Sequence, residues 1–235
     1  VGVRPALALG SWIAFQPHGK ETVVMGDLVL LHEEVNPVLS RLLASGLTIT
    51  ALHNHLLRSN PGTMYMHVHG HGDPASIAAA IRSALDLTRT PTARSAAATA
   101  QPLGLDAPAL DRILGAKGAA NGGVLQYSIP RGETIRDAGM VVPPSMGLAT
   151  VINIQPTSGD KAVTTGDFVL TGQEVAPVLN ALRRNGIEVT ALHNHLSQEE
   201  PRLFFLHFWG NAEAVQLATG LKQALSETNL ALQKG

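Results

Sequence analysis

"GDLVLLHEEVNPVLSRLLASGLTITALHNHL" occupies residues 26–56, and "GDFVLTGQEVAPVLNALRRNGIEVTALHNHL" occupies residues 166–196. The second stretch repeats the first 140 positions further on, from 26 to 166, without a gap. The register continues through Pro61 and Pro201, His67 and His207, and Gly70 and Gly210. About two in five positions from 26 to 85 are identical. Self-similarity on this scale means one module written twice, so each copy serves as a control on the other.

Within a copy the pattern reads strand, strand, helix, strand, strand, helix. "TVVMGDLVL" is β-branched and strand-like. "EEVNPVLSRLLASG" puts Val38, Leu39 and Leu42 on one helical face and stops at Gly46. "LTITALHNHLL" and "TMYMHVHG" are strands separated by the turn signal "RSNPG". In "DPASIAAAIRSAL", Asp73 is the N-cap, Pro74 the first helical residue, and Ile77, Ile81 and Leu85 the core stripe. The expected fold class is therefore α+β, two tandem repeats with mostly antiparallel sheets related by a pseudo-twofold axis. The Ala/Thr/Pro-rich stretch 88–104 reads as a linker. It divides a first module, 1–87, from a second, 105–235. The second module opens with a helix ("LDAPALDRILGAKG") and a strand ("GGVLQYSIP") that have no counterpart before residue 1. A precursor with roughly 40 or more additional residues, enough for such a pair, is the corresponding expectation.

Composition narrows the function. The 235 residues are 45% hydrophobic and 15% charged with a formal net charge of −1. No basic block is available to neutralise a phosphate backbone, which argues against nucleic acid as a partner. No apolar run approaches the roughly 20 residues that a membrane-spanning helix needs. There is no cysteine, which excludes disulfides, thiolate ligands and cysteine nucleophiles.

Strand side chains alternate between faces. In the first copy Leu52, Asn54, Leu56, Met64, Met66 and Val68 fall on one face. His53, His55, Tyr65, His67 and His69 fall on the other. A hairpin about residue 60 would set His53 opposite His67. The second copy sorts alike, with Leu192, Leu196, Phe204, Leu206 and Phe208 toward the helices and His193, His195 and His207 away from them. Three imidazoles from two neighbouring strands suit a divalent transition metal, zinc first, with a coordination position left open. Iron, manganese and copper accept similar donors. The expected metal ligands are His53, His55 and His67, and in a second site His193, His195 and His207. Without metal, the same face would be a solvated polar surface or would pack against its counterpart in an interface between the copies.

Two acidic pairs survive the duplication, Asp27 with Asp167 and Glu34 with Glu174. "TGQE" at 171–174 matches a capping box, which accounts for Glu174. Leu31 replaces the threonine in the first copy, so Glu34 is left as a candidate general base. His69 and His71 are further proton-transfer candidates confined to the first copy, where the second has Trp209 and Asn211. Asn54 and Asn194 are expected to pin the hairpin to nearby backbone.

"GDLVLLHEEVNPV", "TALHNHLL", "MYMHVHGHGDP", "NGGVLQYSIPR" and "EEPRLFFLHFWGN" resemble the bacterial LppY/LpqO-like family, a duplicated domain of unknown function found in exported proteins and lipoproteins. That resemblance covers essentially the whole chain. It implies an extracytoplasmic location and an export signal on the precursor, and it implies no activity. Together with the histidines it leads to an expected exported, metal-dependent hydrolase or lyase acting on a small molecule, with Glu34 and His69 catalytic. The alternatives are a non-enzymatic cell-envelope binding protein for a metal, sugar or peptide, or a structural interaction module.

Overall fold

The alternating strands and amphipathic helices of each copy pair off locally. The computed structural model describes residues 1–91 and 103–231. Most of the expected linker, 92–102, lies outside the described residues. The first copy runs β1 (Trp12–His18), β2 (Glu21–Leu31), α1 (Val35–Ala44), β3 (Thr48–His53), β4 (Thr63–Gly72) and α2 (Pro74–Leu85). Its sheet is antiparallel in the order β1-β2-β4-β3. The second part begins with α3 (Ala107–Leu114), β5 (Ala119–Asn121) and β6 (Val124–Pro130). After the short strands β7 (Arg136–Asp137) and β8 (Met140–Val141) come β9 (Ala149–Pro156), β10 (Lys161–Thr171) and α4 (Val175–Arg184). The chain then forms β11 (Glu188–His193), β12 (Glu199–Glu200), β13 (Leu203–Glu213) and α5 (Ala214–Leu225). A six-stranded antiparallel sheet, β11-β13-β10-β9-β6-β5, is accompanied by a three-stranded one, β12-β7-β8. The protein is thus mixed α+β with antiparallel sheets, as the duplicated patterning implies.

Helix boundaries follow the local chemistry. Asp73 caps α2 by accepting the Ser76 N–H at 2.8 Å, and Asp106 caps α3 by accepting that of Ala109 at 3.0 Å. Gly46, at φ +79°, supplies the left-handed residue that ends the α1 turn. Both helices of the first copy cover one face of its sheet. Val24, Leu28 and Leu30 of β2 and Met66 and Val68 of β4 are buried with Val38, Leu42, Ile77 and Ile81. The second sheet is built alike, with Phe168, Leu170, Leu206 and Phe208 under Val178, Leu182, Leu217 and Leu221.

Two details depart from strict alternation. The expected opposition of His53 and His67 is corrected by the register: His53 faces Tyr65, and Ala51 faces His67. The hairpin centres on residue 59 rather than 60, and a bulge between Ile49 and Ala51 shifts the register again further from the turn. The second copy carries the same bulge between Val189 and Ala191. Leu52 and Leu192, expected beneath helices, are 45% exposed, because they sit on the edge strands beyond the helical cover. Leu196 is buried with Leu203 and Phe205, away from the helix-side core.

The two sheets meet through their helix-free faces. Val23 and Met25 of β2 are buried with Ile135, Val142, Met146 and Leu148, and with Val169 and Phe205 of the second sheet. In the reverse direction, Leu7 packs on Val124 and Val163. The Arg4 N–H donates to Gln155 Oε1 at 2.8 Å, and Asn153 Nδ2 donates to the Leu7 carbonyl at 3.0 Å. Each sheet is therefore covered by chain that precedes the other copy. Among the described residues no helix is long and apolar enough to cross a membrane.

The "GD" that opens both repeats has a steric reason. A Cβ at Gly166 would collide with the Val151 carbonyl oxygen and the Phe208 ring, and one at Gly26 with Ile13 and the Trp12 carbonyl oxygen. Strands β1 and β9 can lie this close only because glycine stands there. Gly166→Ala is expected to destabilise by about 1–3 kcal/mol, lowering the melting temperature by several degrees. A thermal melt unchanged from wild type would contradict this account of the repeat.

Candidate functional site: a shared imidazole–carboxylate centre

Register brings the site together. Asp27 on β2 lies directly across from His67 on β4, and Asp167 on β10 directly across from His207 on β13. Each pair is on the helix-free face of its sheet. His53 closes β3, and the chain then bends so that His55 turns back beside it. The Nε2 atoms of His53 and His55 are 2.9 Å apart. Asn54 holds this bend by accepting the Leu56 N–H at 2.8 Å, and Asn194 donates to the Leu203 carbonyl at 2.6 Å. Asn194 pins the hairpin to facing backbone as expected, whereas Asn54 bonds the backbone of its own turn.

The imidazoles of the two copies interleave. The rings of His53 and His193 have centroids 3.9 Å apart. His55 lies 3.8 Å from His207, and His67 lies 3.8 Å from His195. The contacts are reciprocal, since each histidine of "HNH" in one copy meets the partner-strand histidine, or its own equivalent, in the other. Tyr65 stacks on His55 at 3.8 Å and Phe205 on His195 at 3.3 Å, closing the outer sides. The structure thus places all six sequence-predicted ligand histidines in one centre shared by the copies.

Backbone carbonyls orient four of the rings. His67 Nδ1 donates to the Gly26 carbonyl at 3.2 Å, and His207 Nδ1 to that of Gly166 at 3.0 Å. His193 Nδ1 faces the Asn194 carbonyl at 3.2 Å, and His195 Nδ1 faces that of Gly147 at 3.3 Å. A carbonyl oxygen only accepts, so Nδ1 carries the proton and the Nε2 lone pair is left free. Those four Nε2 atoms are buried without a hydrogen-bond partner among the described residues, as are His53 Nδ1, Asp27 Oδ1 and Asp167 Oδ1. The carboxylates stand off from the rings: Asp27 Oδ2 is 3.5 Å from His55 Nε2, and Asp167 Oδ2 is 3.6 Å from His195 Nε2.

Burial dominates the electrostatics. Loss of water holds His53, His55, His195 and His207 far below the ordinary imidazole value, and neighbouring rings add to the effect. His67 is lowered to about 3 and His193 to about 4, again chiefly by burial. Asp27 and Asp167 are raised well above the usual carboxylate range by the same desolvation. The centre is a set of neutral nitrogen donors with two buried carboxyl groups that call for a proton or a metal cation. Ligand atoms of His53, His67, His193 and His207 all lie within 4.8 Å of one another, as do those of Asp27, His53 and His55, and of Asp167, His195 and His207. A cavity of about 540 Å³ opens beside them, lined by Asp27, His55, His67, Asp167, His195 and His207 among others.

The two catalytic candidates lie elsewhere. Glu34 is buried with both carboxylate oxygens engaged: Oε2 accepts the Leu31 N–H and Oε1 the Arg89 N–H, each at 2.8 Å. It caps the helix start although Leu31 replaces threonine, because the backbone N–H is the donor it needs. Glu174 does the same through Thr171 and also holds the buried Arg131. His69 faces Asp137, with Nε2 and Oδ2 3.3 Å apart. Sequence reasoning weighed Asp27 only as a lesser candidate and missed Asp137. Asp27 shares odd parity with the histidines, a signal that became decisive only with the β2–β4 pairing.

Residues 1–87 and 108–227 match a family described as Domain of Unknown Function (DUF1259). No curated protein matches the chain. Among solved structures, a double-ringed trimeric shell protein of the RMM microcompartment is similar at 11% identity and a TM-score of 0.24, over 95% of this chain and 89% of that one. The trimeric microcompartment shell protein PduB is similar at 14% identity and 0.24, over 95% and 92%. EutL from Clostridium perfringens is similar at 9% and 0.22, over 93% and 90%. These matches correct three expectations. The LppY/LpqO-like assignment gives way to the matched family, and the extracytoplasmic, lipoprotein-like location that rested on it falls with it. The exported hydrolase or lyase, with its cell-envelope alternative, rested on the same assignment and falls with it, since the matched family is described only as a domain of unknown function. The match spans both copies and most of the chain, and the protein belongs to the DUF1259 family.

Proposed function

We propose that this chain holds a divalent transition metal, zinc first, in the imidazole–carboxylate centre between its two copies and presents it to the adjoining cavity to bind a small molecule. The observation that carries the reading is the group of seven buried polar atoms without partners among the described residues, on five of the six histidines and on both aspartates. Leaving such an atom unpaired costs about 1–3 kcal/mol, and a cation coordinated by the free Nε2 atoms relieves several at once. Fixed Nδ1–H tautomers are how metal-ligating imidazoles are oriented. Nitrogen-rich donors suit zinc, copper, iron and nickel better than magnesium or calcium. The reciprocal contacts of His55 with His207 and of His67 with His195 support a pseudo-twofold relation between two strand-strand-helix-strand-strand-helix modules, with the metal on or near its axis. His53, His67, His193 and His207 would be the central ligands, and Asp27, His55, Asp167 and His195 would flank them. The cavity is the place for the small molecule, and its wall sets apolar Leu7, Trp12 and Val151 beside polar Gln126 and Asn153, which suits a molecule with an apolar body and a polar end turned to the metal.

Protein purified without a histidine tag or chelating resin is expected to carry near-stoichiometric transition metal by elemental analysis. His67→Gln with His207→Gln should remove most of it, with the circular dichroism spectrum retained. Metal-free wild-type protein that also takes up no added zinc, copper, iron or nickel would overturn the proposal.

Acid should destabilise the chelator-stripped protein. Unfolded imidazoles titrate near 6.5, whereas the buried ones stay neutral far below that, His193 to about 4 and His67 to about 3. Below 6.5 the unfolded chain therefore binds protons that the folded chain refuses, and stability falls with pH. Asp27 and Asp167 act in the opposite sense, because their raised values let the folded chain keep protons that the unfolded chain releases. Six imidazoles outweigh two carboxylates. Between about pH 7 and about pH 5 the melting temperature should drop by several degrees or more. The drop should shrink in the His67→Gln/His207→Gln variant. A flat profile would show the rings to be solvated.

A further inference from the structure

The histidines that distinguish the first copy are not part of the shared centre. His69 and His71 follow His67 at alternate positions of β4, opposite Met25 and Val23 of β2. Over them lies β7, which precedes the second repeat. Its Asp137 is buried at 4% exposure. Among the described residues, the one salt-bridge partner of that carboxylate is His69, 3.3 Å away. The contact is poorly aligned, so His69 Nε2 stays buried without a hydrogen bond. His71 stands edge-on to His69, with ring centroids 5.4 Å apart, and reaches solvent. One ligand atom from each of His69, His71 and Asp137 lies within 4.8 Å of the others.

We propose that His69, His71 and Asp137 form a second site for a divalent transition metal, separate from the shared centre and open to solvent through His71. Two neutral imidazoles and one carboxylate give a donor set of charge −1 with coordination positions left for water. A buried carboxylate without a lysine or arginine partner is costly unless a cation or proton joins it, and the neighbouring nitrogens select a borderline metal over calcium or magnesium. The second copy has no equivalent, because Trp209 and Asn211 stand where His69 and His71 would be. The bound ion would staple β7 onto β4, joining residues that are more than sixty positions apart in the chain. Exposed His71 gives this ion a direct route to solvent.

The test is a zinc titration of the whole chain, stripped by chelation and read against a chromophoric competitor. His71→Ala and Asp137→Asn should each remove one zinc equivalent or weaken it by about tenfold or more. His18→Ala and His32→Ala, at histidines elsewhere on the surface, should leave that equivalent unchanged. His71 is exposed and Asp137→Asn is isosteric, so both variants should keep the wild-type circular dichroism spectrum. The His67→Gln/His207→Gln variant should retain the equivalent that His71→Ala removes, so failure of the shared centre and failure of this site are read separately. Wild-type stoichiometry and affinity in both His71→Ala and Asp137→Asn would overturn the proposal. An equivalent lost equally in His18→Ala or His32→Ala would overturn it as well.

Discussion

Each of the two large sheets has a helix-covered apolar face and a face bearing imidazoles, and the imidazoles of one are buried against those of the other. An isolated copy would leave His67 or His207, with a buried aspartate beside it, open to water on a surface flanked by large apolar residues. Packing copy against copy stacks ring on ring and excludes that water. The same packing strips the carboxylates of solvent and raises their proton affinity. Fold and site chemistry therefore share one cause. The desolvation that makes the interface also creates the demand for a cation within it.

The glycines opening the two repeats belong to the same constraint. Gly26 and Gly166 offer their carbonyls to His67 and His207 while lacking the side chain that would push β1 and β9 away. Residue 27 or 167 then has to face inward, because alternation allows nothing else. A "GD" dipeptide retained in both copies is thus one device: close strand approach, imidazole orientation and an inward carboxylate.

Much of this was legible in the residues. The repeat announced an antiparallel sheet in each copy, though not the small sheet β12-β7-β8, and parity put His53, His55, His67 and their equivalents on one face, because burial on the other face leaves the register no freedom. The helices could be bounded from Asp73 and Gly46. What could not be read was tertiary. A hairpin centred on residue 59 instead of 60 sets His53 opposite Tyr65 rather than His67, and bulges near Thr50 and Thr190 shift the register again beyond it. Two separate three-histidine sites were expected, yet the rings of the two copies interdigitate, and no pattern within one copy encodes its approach to the other. Glu34 looked free because its capping partner was sought in a side chain, while the N–H groups of Leu31 and Arg89 met its needs. Asp137 lies in a segment outside the repeat, so the comparison of copies was blind to it.

The crossed covering of the sheets bears on how this chain could be divided. Residues 3–7 lie on the second sheet, and Ile135, Val142 and Met146 lie on the first. Neither half, severed between residues 92 and 102, would retain its own lining. Each fragment would expose the seat that the other fills, so the pair should reassociate as complementing fragments and neither should persist alone as a small domain. Duplication has here produced two halves that are alike in sequence and lined by each other's leading segments. An ancestor with a single copy would have met the same demand by embracing a second molecule of itself.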